Sequence, residues 1–265
     1  MTAALAALML LLEVAAVTLV VRHAGAAERP GSHGSAQVAA PEPNALRVGD
    51  TAKITPDGDR STERETPGHL LAEIERSMPV FSRPGGRRVG TVPAASPYYG
   101  EPTVAWILEV SGDGRFGRVP IPYTGRSVTG WLRLRGLQTS TTTVSVRADL
   151  SRHRLWVLRG ERVVFTARAA TGAPVSPTPT GRYVVSDRVA FPGGGVLGNY
   201  AFGLSGIQPN LPPGWSGGNQ LAIHGTNDPS SIGRSASAGC LRVSERVLDR
   251  LKRLLPVGTP VVVRA

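Results

Sequence analysis

The chain has 265 residues, with 30 Lys and Arg against 19 Asp and Glu for a net charge of +11, and its single cysteine excludes an intramolecular disulfide. One cysteine and five histidines also exclude a dedicated four-ligand structural zinc site, while 32 glycines, 22 prolines and 5% aromatic residues favour turns and short strands over long helices. The excess charge is concentrated after residue 143, where fifteen basic residues face six acidic ones; with no base-reading or base-stacking motif beside it, this field suits an anionic wall polymer or membrane surface and not nucleic acid.

Residues 2–21, TAALAALMLLLEVAAVTLVV, form an apolar run broken only by Glu13 and long enough to span a bilayer. Ala24, Gly25 and Ala26 have the form of a cleavage site, but no basic residue precedes the run and Arg22 follows it. A signal peptide and a membrane anchor over residues 1–26 therefore both remain open. Residues 27–65 open with small and polar residues without periodicity and read as a mostly disordered linker. Thr66 and Pro67 then have the chemistry of an N-cap and a first helical residue. Leu70, Leu71, Ile74 and Met78 would share one face of a short helix ending by Pro79.

From residue 80 to 137 the pattern changes to short apolar runs separated by turn residues, among them TVAWILEV, SGDG, RFGRVPI and TGWLRLRGL. Five or six strands in this length predict a small β-barrel, placing Trp106 and Trp131 in its core or rim. With the helix, this module spans residues 66–138. The run TSTTT at 139–143 marks a boundary, and the last segment, 143–265, opens with VSVRADL and RLWVLRG, whose turn at Arg159, Gly160 and Glu161 feeds ERVVFTARAATG.

Further strands are expected at GRYVVSD and QLAIHG, separated by a long Gly- and Pro-rich stretch over residues 191–219 that is suited to shaping a groove. Ser244 is an N-cap for a helix burying Val247, Leu248, Leu251 and Leu254, closed by Pro256 and Gly258 before a last strand, VVV.

The one cysteine, Cys240, follows His224 by sixteen positions and sits among small residues, SASAGC. A thiol attacks a carbonyl only as the thiolate, so it needs a base, and imidazole is the usual one. His224 ends an apolar strand and Cys240 lies in a bend before a capped helix, so a return of the chain through NDPSSIG would bring the two within hydrogen-bond reach. Gly225 and Gly239 allow close backbone approach, and amides near Cys240 are expected to form an oxyanion hole. Ser237 is a poor rival nucleophile, because the serine-hydrolase elbow needs Gly where Ser235 stands, and no Lys follows to make a phosphate loop.

The block HGT, IG and SAGCLRV is similar to the signature of YkuD-type L,D-transpeptidase catalytic domains, in which His and Cys occur in this order; SPTPTGRYVV and YAFGLSG resemble two further family segments upstream. The resemblance covers residues 143–265. It implies a mainly β fold: a mixed, barrel-like sheet with one C-terminal helix, here preceded by a small β-domain that resembles SH3-like modules of wall enzymes. It further implies Cys240 as nucleophile, His224 as base and acid, Gly239 and the Cys240 amide as oxyanion donors, and Arg242 as the family's Arg. Ser237, Gly225, Thr226 and Tyr200 are the candidates to bind substrate or organise the site, against the favoured alternatives of simple turn residues for Thr226 and Ser237 and of core packing for Tyr200.

The implied reaction is formation of 3→3 cross-links between peptidoglycan tetrapeptide stems through a cysteine acyl-enzyme, without metal or organic cofactor, outside the cytoplasm. Its partners are donor and acceptor stems, with an anionic cell wall around them. The thiol and imidazole together are expected to give a rate that rises between pH 5 and 8. Ala238 stands where many members carry a second His. An L,D-carboxypeptidase acting on the same stems and a non-catalytic wall-binding protein remain alternatives.

Overall fold

The computed structural model describes residues 68–265; the apolar run, the linker and the Thr66–Pro67 cap lie outside the described residues. The first 75 described residues or so form two small antiparallel sheets. One has the order β4 (Thr103–Ile107), β1 (His69–Ile74), β8 (Thr139–Thr142). The other runs β3 (Arg88–Val92), β2 (Met78–Phe81), β7 (Thr129–Arg133), β6 (Phe116–Pro120), β5 (Glu109–Val110). Ala72, Ile74, Val80, Ile107, Val119 and Leu132 form their common core.

Two sequence expectations are corrected here. The segment expected as a helix is strand β1, paired with β4 from Leu70↔Ile107 to Ile74↔Thr103 and with β8 from His69↔Thr142. A strand hydrogen-bonded on both edges fixes six residues with few local contacts, and that pairing outweighs a helical spacing only a turn or two long. The Thr-rich boundary run is itself β8, where β-branched threonines suit a pleated edge.

From Val144 onward the chain builds an eight-stranded sheet in the order β11 (Arg162–Arg168), β10 (Arg154–Arg159), β9 (Val144–Asp149), β18 (Pro260–Arg264), β13 (Gly181–Ala190), β14 (Tyr200–Ile207), β15 (Gln220–His224), β17 (Leu241–Arg242). A parallel pair, β12 (Thr171–Gly172) and β16 (Ser235–Ser237), lies beside it. Strand β14 occupies the middle of the Gly- and Pro-rich stretch expected as a loop, which leaves loops of about ten residues on either side.

The helix α1 (Glu245–Lys252) follows β17 at once, and the Ser244 hydroxyl accepts the Val247 amide at its N-terminus. Leu248 and Leu251 of α1 join Leu155, Phe202, Ile223 and Val261 in the main core. Among the described residues no helix is long and apolar enough to cross a membrane.

The two β-structures meet along a seam. Leu71 and Trp106 of the first pack on Val184 of the second, and the Tyr123 amide donates to Ser205 O (2.8 Å).

Candidate active site

Strand alternation places the chemistry. In β15, Leu221 and Ile223 point into the core, so Gln220, Ala222 and His224 face the other side. β17 lies parallel to it, with Ile223 opposite Leu241 and His224 opposite Arg242. Leu241 is buried in the core, so Cys240 and Arg242 share the face of His224. The Val243 amide donates to His224 O (2.9 Å), and Ala170 pairs with the Arg242 backbone in both directions (2.8 and 3.1 Å), locking this corner.

Cys240, His224, Arg242 and Ser237 line one cavity of about 70 Å³ together with Gln208 and Trp215. Cys240 is half-buried and also lines a second cavity of about 470 Å³, bordered by the 191–199 and 208–219 loops. The His224 Nδ1 lies 2.6 Å from Gly225 O. A carbonyl only accepts, so Nδ1 carries the proton of the neutral ring and Nε2 the lone pair. Burial holds the His224 pKa down at about 4, aided by the Arg242 guanidinium and opposed by the carbonyls of Gly225 and Leu197. Burial also pushes the Cys240 thiol up, against the Ala222 backbone and Arg242. At neutral pH the resting pair is thus thiol and neutral imidazole.

The thiol donates to Gln220 O (3.7 Å), and this bond replaces the direct one expected with the imidazole. His224 and Cys240 face one cavity, but the sulfur is turned along β15 because the Gln220 carbonyl at the strand start offers a fixed acceptor.

The bend before the sulfur is held by one hydroxyl: Ser237 Oγ donates to Cys240 O (2.6 Å) and accepts the Gly239 amide (3.1 Å). Gly239 sits at φ +117°, and a Cβ there would meet the Gln208 amide, so only glycine fits. The expected pair of oxyanion donors is corrected accordingly. The Gly239 amide is occupied by Ser237, whereas the Cys240 amide has no hydrogen-bond partner among the described residues.

The remaining expected residues divide. A Cβ on Gly225 would meet the Glu245 carboxylate and come within 2.8 Å of Gly198 Cα, so its smallness lets the 191–199 loop close on the histidine turn. Thr226 Oγ1 accepts the Asp228 amide (3.0 Å) and serves that turn. Tyr200 lines neither cavity: it packs against Phe202 on the core side of β14, with the Lys252 ammonium over its ring, which is the core-packing reading of this residue. The Arg242 Nε is buried and without a partner among the described residues, on a side chain that lines the smaller cavity.

Sequence reasoning missed a set of buried polar residues behind the bend. Ser176 Oγ donates to Asn210 O (2.6 Å) and to Ala238 O (3.0 Å). Gln208 Nε2 donates to Pro177 O (2.9 Å). Asp187 is fully buried, and its Oδ2 accepts from Gln220 Nε2 (2.6 Å), Ser186 Oγ (2.8 Å) and Ser96 Oγ (2.9 Å). An acid inside the β-branched run RYVVSDRVA was the one available signal. Among the described residues no three His, Cys, Asp or Glu side chains cluster to hold a metal.

Fold and site together define a β-protein whose one thiol and one buried imidazole open into a shared cavity. Residues 143–263 match the model of the YkuD family, the L,D-transpeptidase catalytic domain. The YkuD protein of Bacillus subtilis is 30% identical over 123 residues, covering 46% of this chain and 67% of that protein; the one of Bacillus licheniformis is 33% identical over 121 residues, covering 46% and 66%. The chain thus spans about two thirds of the length of these curated relatives. A solved L,D-transpeptidase from Mycobacterium smegmatis is similar over 73% of this chain and 99% of that one, at 17% identity and a TM-score of 0.40. The C442S mutant of the Enterococcus faecium L,D-transpeptidase is similar over 46% and 50%, at 21% identity and a TM-score of 0.36. The chain belongs to the YkuD family of L,D-transpeptidase catalytic domains.

Proposed function

We propose that the chain is an L,D-transpeptidase acting outside the cytoplasm, which forms 3→3 cross-links between peptidoglycan stems through an acyl group carried on Cys240. One observation carries the reading: a single half-buried sulfur stands where two cavities meet, with an imidazole facing the smaller of them. Two cavities suit a reaction that takes a donor and then an acceptor, which favours transfer to an amine over hydrolysis.

In this mechanism the thiol turns from Gln220 O toward His224 and gives its proton to Nε2 as the sulfur attacks the carbonyl at the L-centre of diaminopimelate. The tetrahedral oxyanion is stabilised by the Cys240 amide and the positive field of Arg242. The C–N bond to D-alanine breaks, the departing amine takes the proton from His224, and a thioester remains. The acceptor amine attacks that thioester, loses its proton to His224 and forms the cross-link, and the imidazole returns the proton to the thiolate. The hydrogen bond from Nδ1 to Gly225 O keeps Nε2 available throughout.

Incubation with tetrapeptide stems should give cross-linked dimers by mass, passing through a protein adduct shifted by the acyl mass. Cys240→Ala should show neither while remaining folded; dimers formed by that variant would end the proposal. Tripeptides in place of dimers would reassign the protein as a carboxypeptidase.

A further inference from the structure

We propose that the small β-module is part of the substrate site, and that its Tyr99, with Trp215 of the 208–219 loop, forms a saccharide subsite for the N-acetylated glycan that bears the reacting stem. This rests on the transpeptidase reading above. The 470 Å³ cavity that reaches Cys240 is walled on one side by Tyr98 and Tyr99 of the module and on another by Trp215. Its volume lies in the range of roughly 300–1,000 Å³ that small-ligand sites occupy. Tyr99 is 53% exposed and Trp215 46%. Single exposed aromatics are ordinary, but two on one groove that ends at a reactive sulfur are not scattered surface residues.

Charge selects the occupant. The lining of the larger cavity contains no Asp, Glu, Lys or Arg, whereas Arg242 lines the smaller one. The carboxylate-bearing end of a stem is matched on the arginine side, and the uncharged groove is matched by the neutral part of the same polymer. A pyranose ring offers a C–H face that stacks on an aromatic ring while its hydroxyls stay in water. Reach agrees: three residues separate the sugar from the reacting carbonyl, a span of about 10 Å when extended, so a sugar-binding wall belongs in a cavity that the sulfur itself lines.

The wall is built rigidly. The Ser96 amide donates to Glu101 O (2.8 Å) and the Gly100 amide to Ser96 O (3.0 Å), closing the loop that presents Tyr99. Tyr98 donates its hydroxyl to Asn219 Oδ1 (2.6 Å), tying that loop to the end of the Trp215 loop. Ser96 Oγ donates to Asp187, which also holds the side chain of Gln220, the residue whose carbonyl accepts the Cys240 thiol. An aromatic pair fixed in this way binds without a large ordering cost.

The test titrates the full chain carrying Cys240→Ala, by calorimetry, with a tetrapeptide stem and with the same stem bearing its N-acetylglucosaminyl–N-acetylmuramyl disaccharide. The disaccharide should tighten binding about tenfold, the scale of one aromatic contact. Adding Tyr99→Ala should shrink that gain several-fold, Tyr99→Ala with Trp215→Ala should bring the two stems to equal affinity, and Tyr99→Phe should restore the difference. A disaccharide that adds nothing, a gain that Tyr99→Ala leaves undiminished, or one that survives the double substitution overturns the subsite. Thermal unfolding of each variant shows that the fold is intact. Acylation of the unsubstituted chain by a carbapenem separates the two failures: if it occurs while the disaccharide adds nothing, the subsite alone is wrong, and if it fails, the reading of Cys240 is wrong as well.

Discussion

Acidification should weaken the fold through His224. The residue is 3% exposed and its pKa is held at about 4, against 6.5 in a solvated chain. Below pH 6.5 the unfolded chain takes up a proton that the folded chain refuses, so stability falls with falling pH and levels off once the folded ring also titrates, below about pH 4. At 1.36 kcal/mol per pKa unit, the loss between pH 7.5 and pH 4 is about 3 kcal/mol, a large share of a typical domain's margin. The control is His224→Asn, which keeps a side-chain N–H for Gly225 O and has no titrating ring. Urea unfolding of both proteins at pH 7.5, 5.5 and 4 gives the difference between them, in which every other carboxylate and histidine cancels. That difference should shrink by about 3 kcal/mol toward pH 4. A difference that stays constant across this range refutes the burial argument for His224.

The same two shifts set the rate profile: with His224 low and the thiol raised, acylation by a carbapenem should be level from pH 5.5 to 8 and fall only on approaching pH 4. The limb expected from the sequence between pH 5 and 8 is thereby displaced, and stopped-flow acylation at constant ionic strength distinguishes the two. Ser176→Ala strips two carbonyls, those of Asn210 and Ala238, of their buried donor. It should cost about 1–3 kcal/mol in urea unfolding and slow acylation by loosening the bend before Cys240; unchanged stability would mean that water replaces the hydroxyl.

What could be read from the sequence was local. Ser244 caps α1, Gly160 turns β10 into β11, and the strand ending in His224 shows its alternation over Gln220–His224, so the face shared with Cys240 needed only the return of the chain. What was misread depended on distant partners. Residues 70–74 took strand geometry from β4 and β8, which local spacing cannot reveal. The Gly239 amide was expected to be free because nothing in SASAGC tells which way the Ser237 hydroxyl points. Asp187, Ser96 and Gln220 come from three separate segments, and only the fold makes them neighbours.

The seam of Leu71, Trp106 and Val184 bears on anyone who would trim the chain. The family match starts at residue 143, but the unit that keeps oil from water does not. Cutting there would strip Val184 and Val262 of their covering and remove Tyr98 and Ser96, whose hydroxyls donate to Asn219 and Asp187, so an excised catalytic half would be sticky and its groove would lack a wall. The segment that matches the family and the segment that folds around the groove differ in length, and expression boundaries should follow the second.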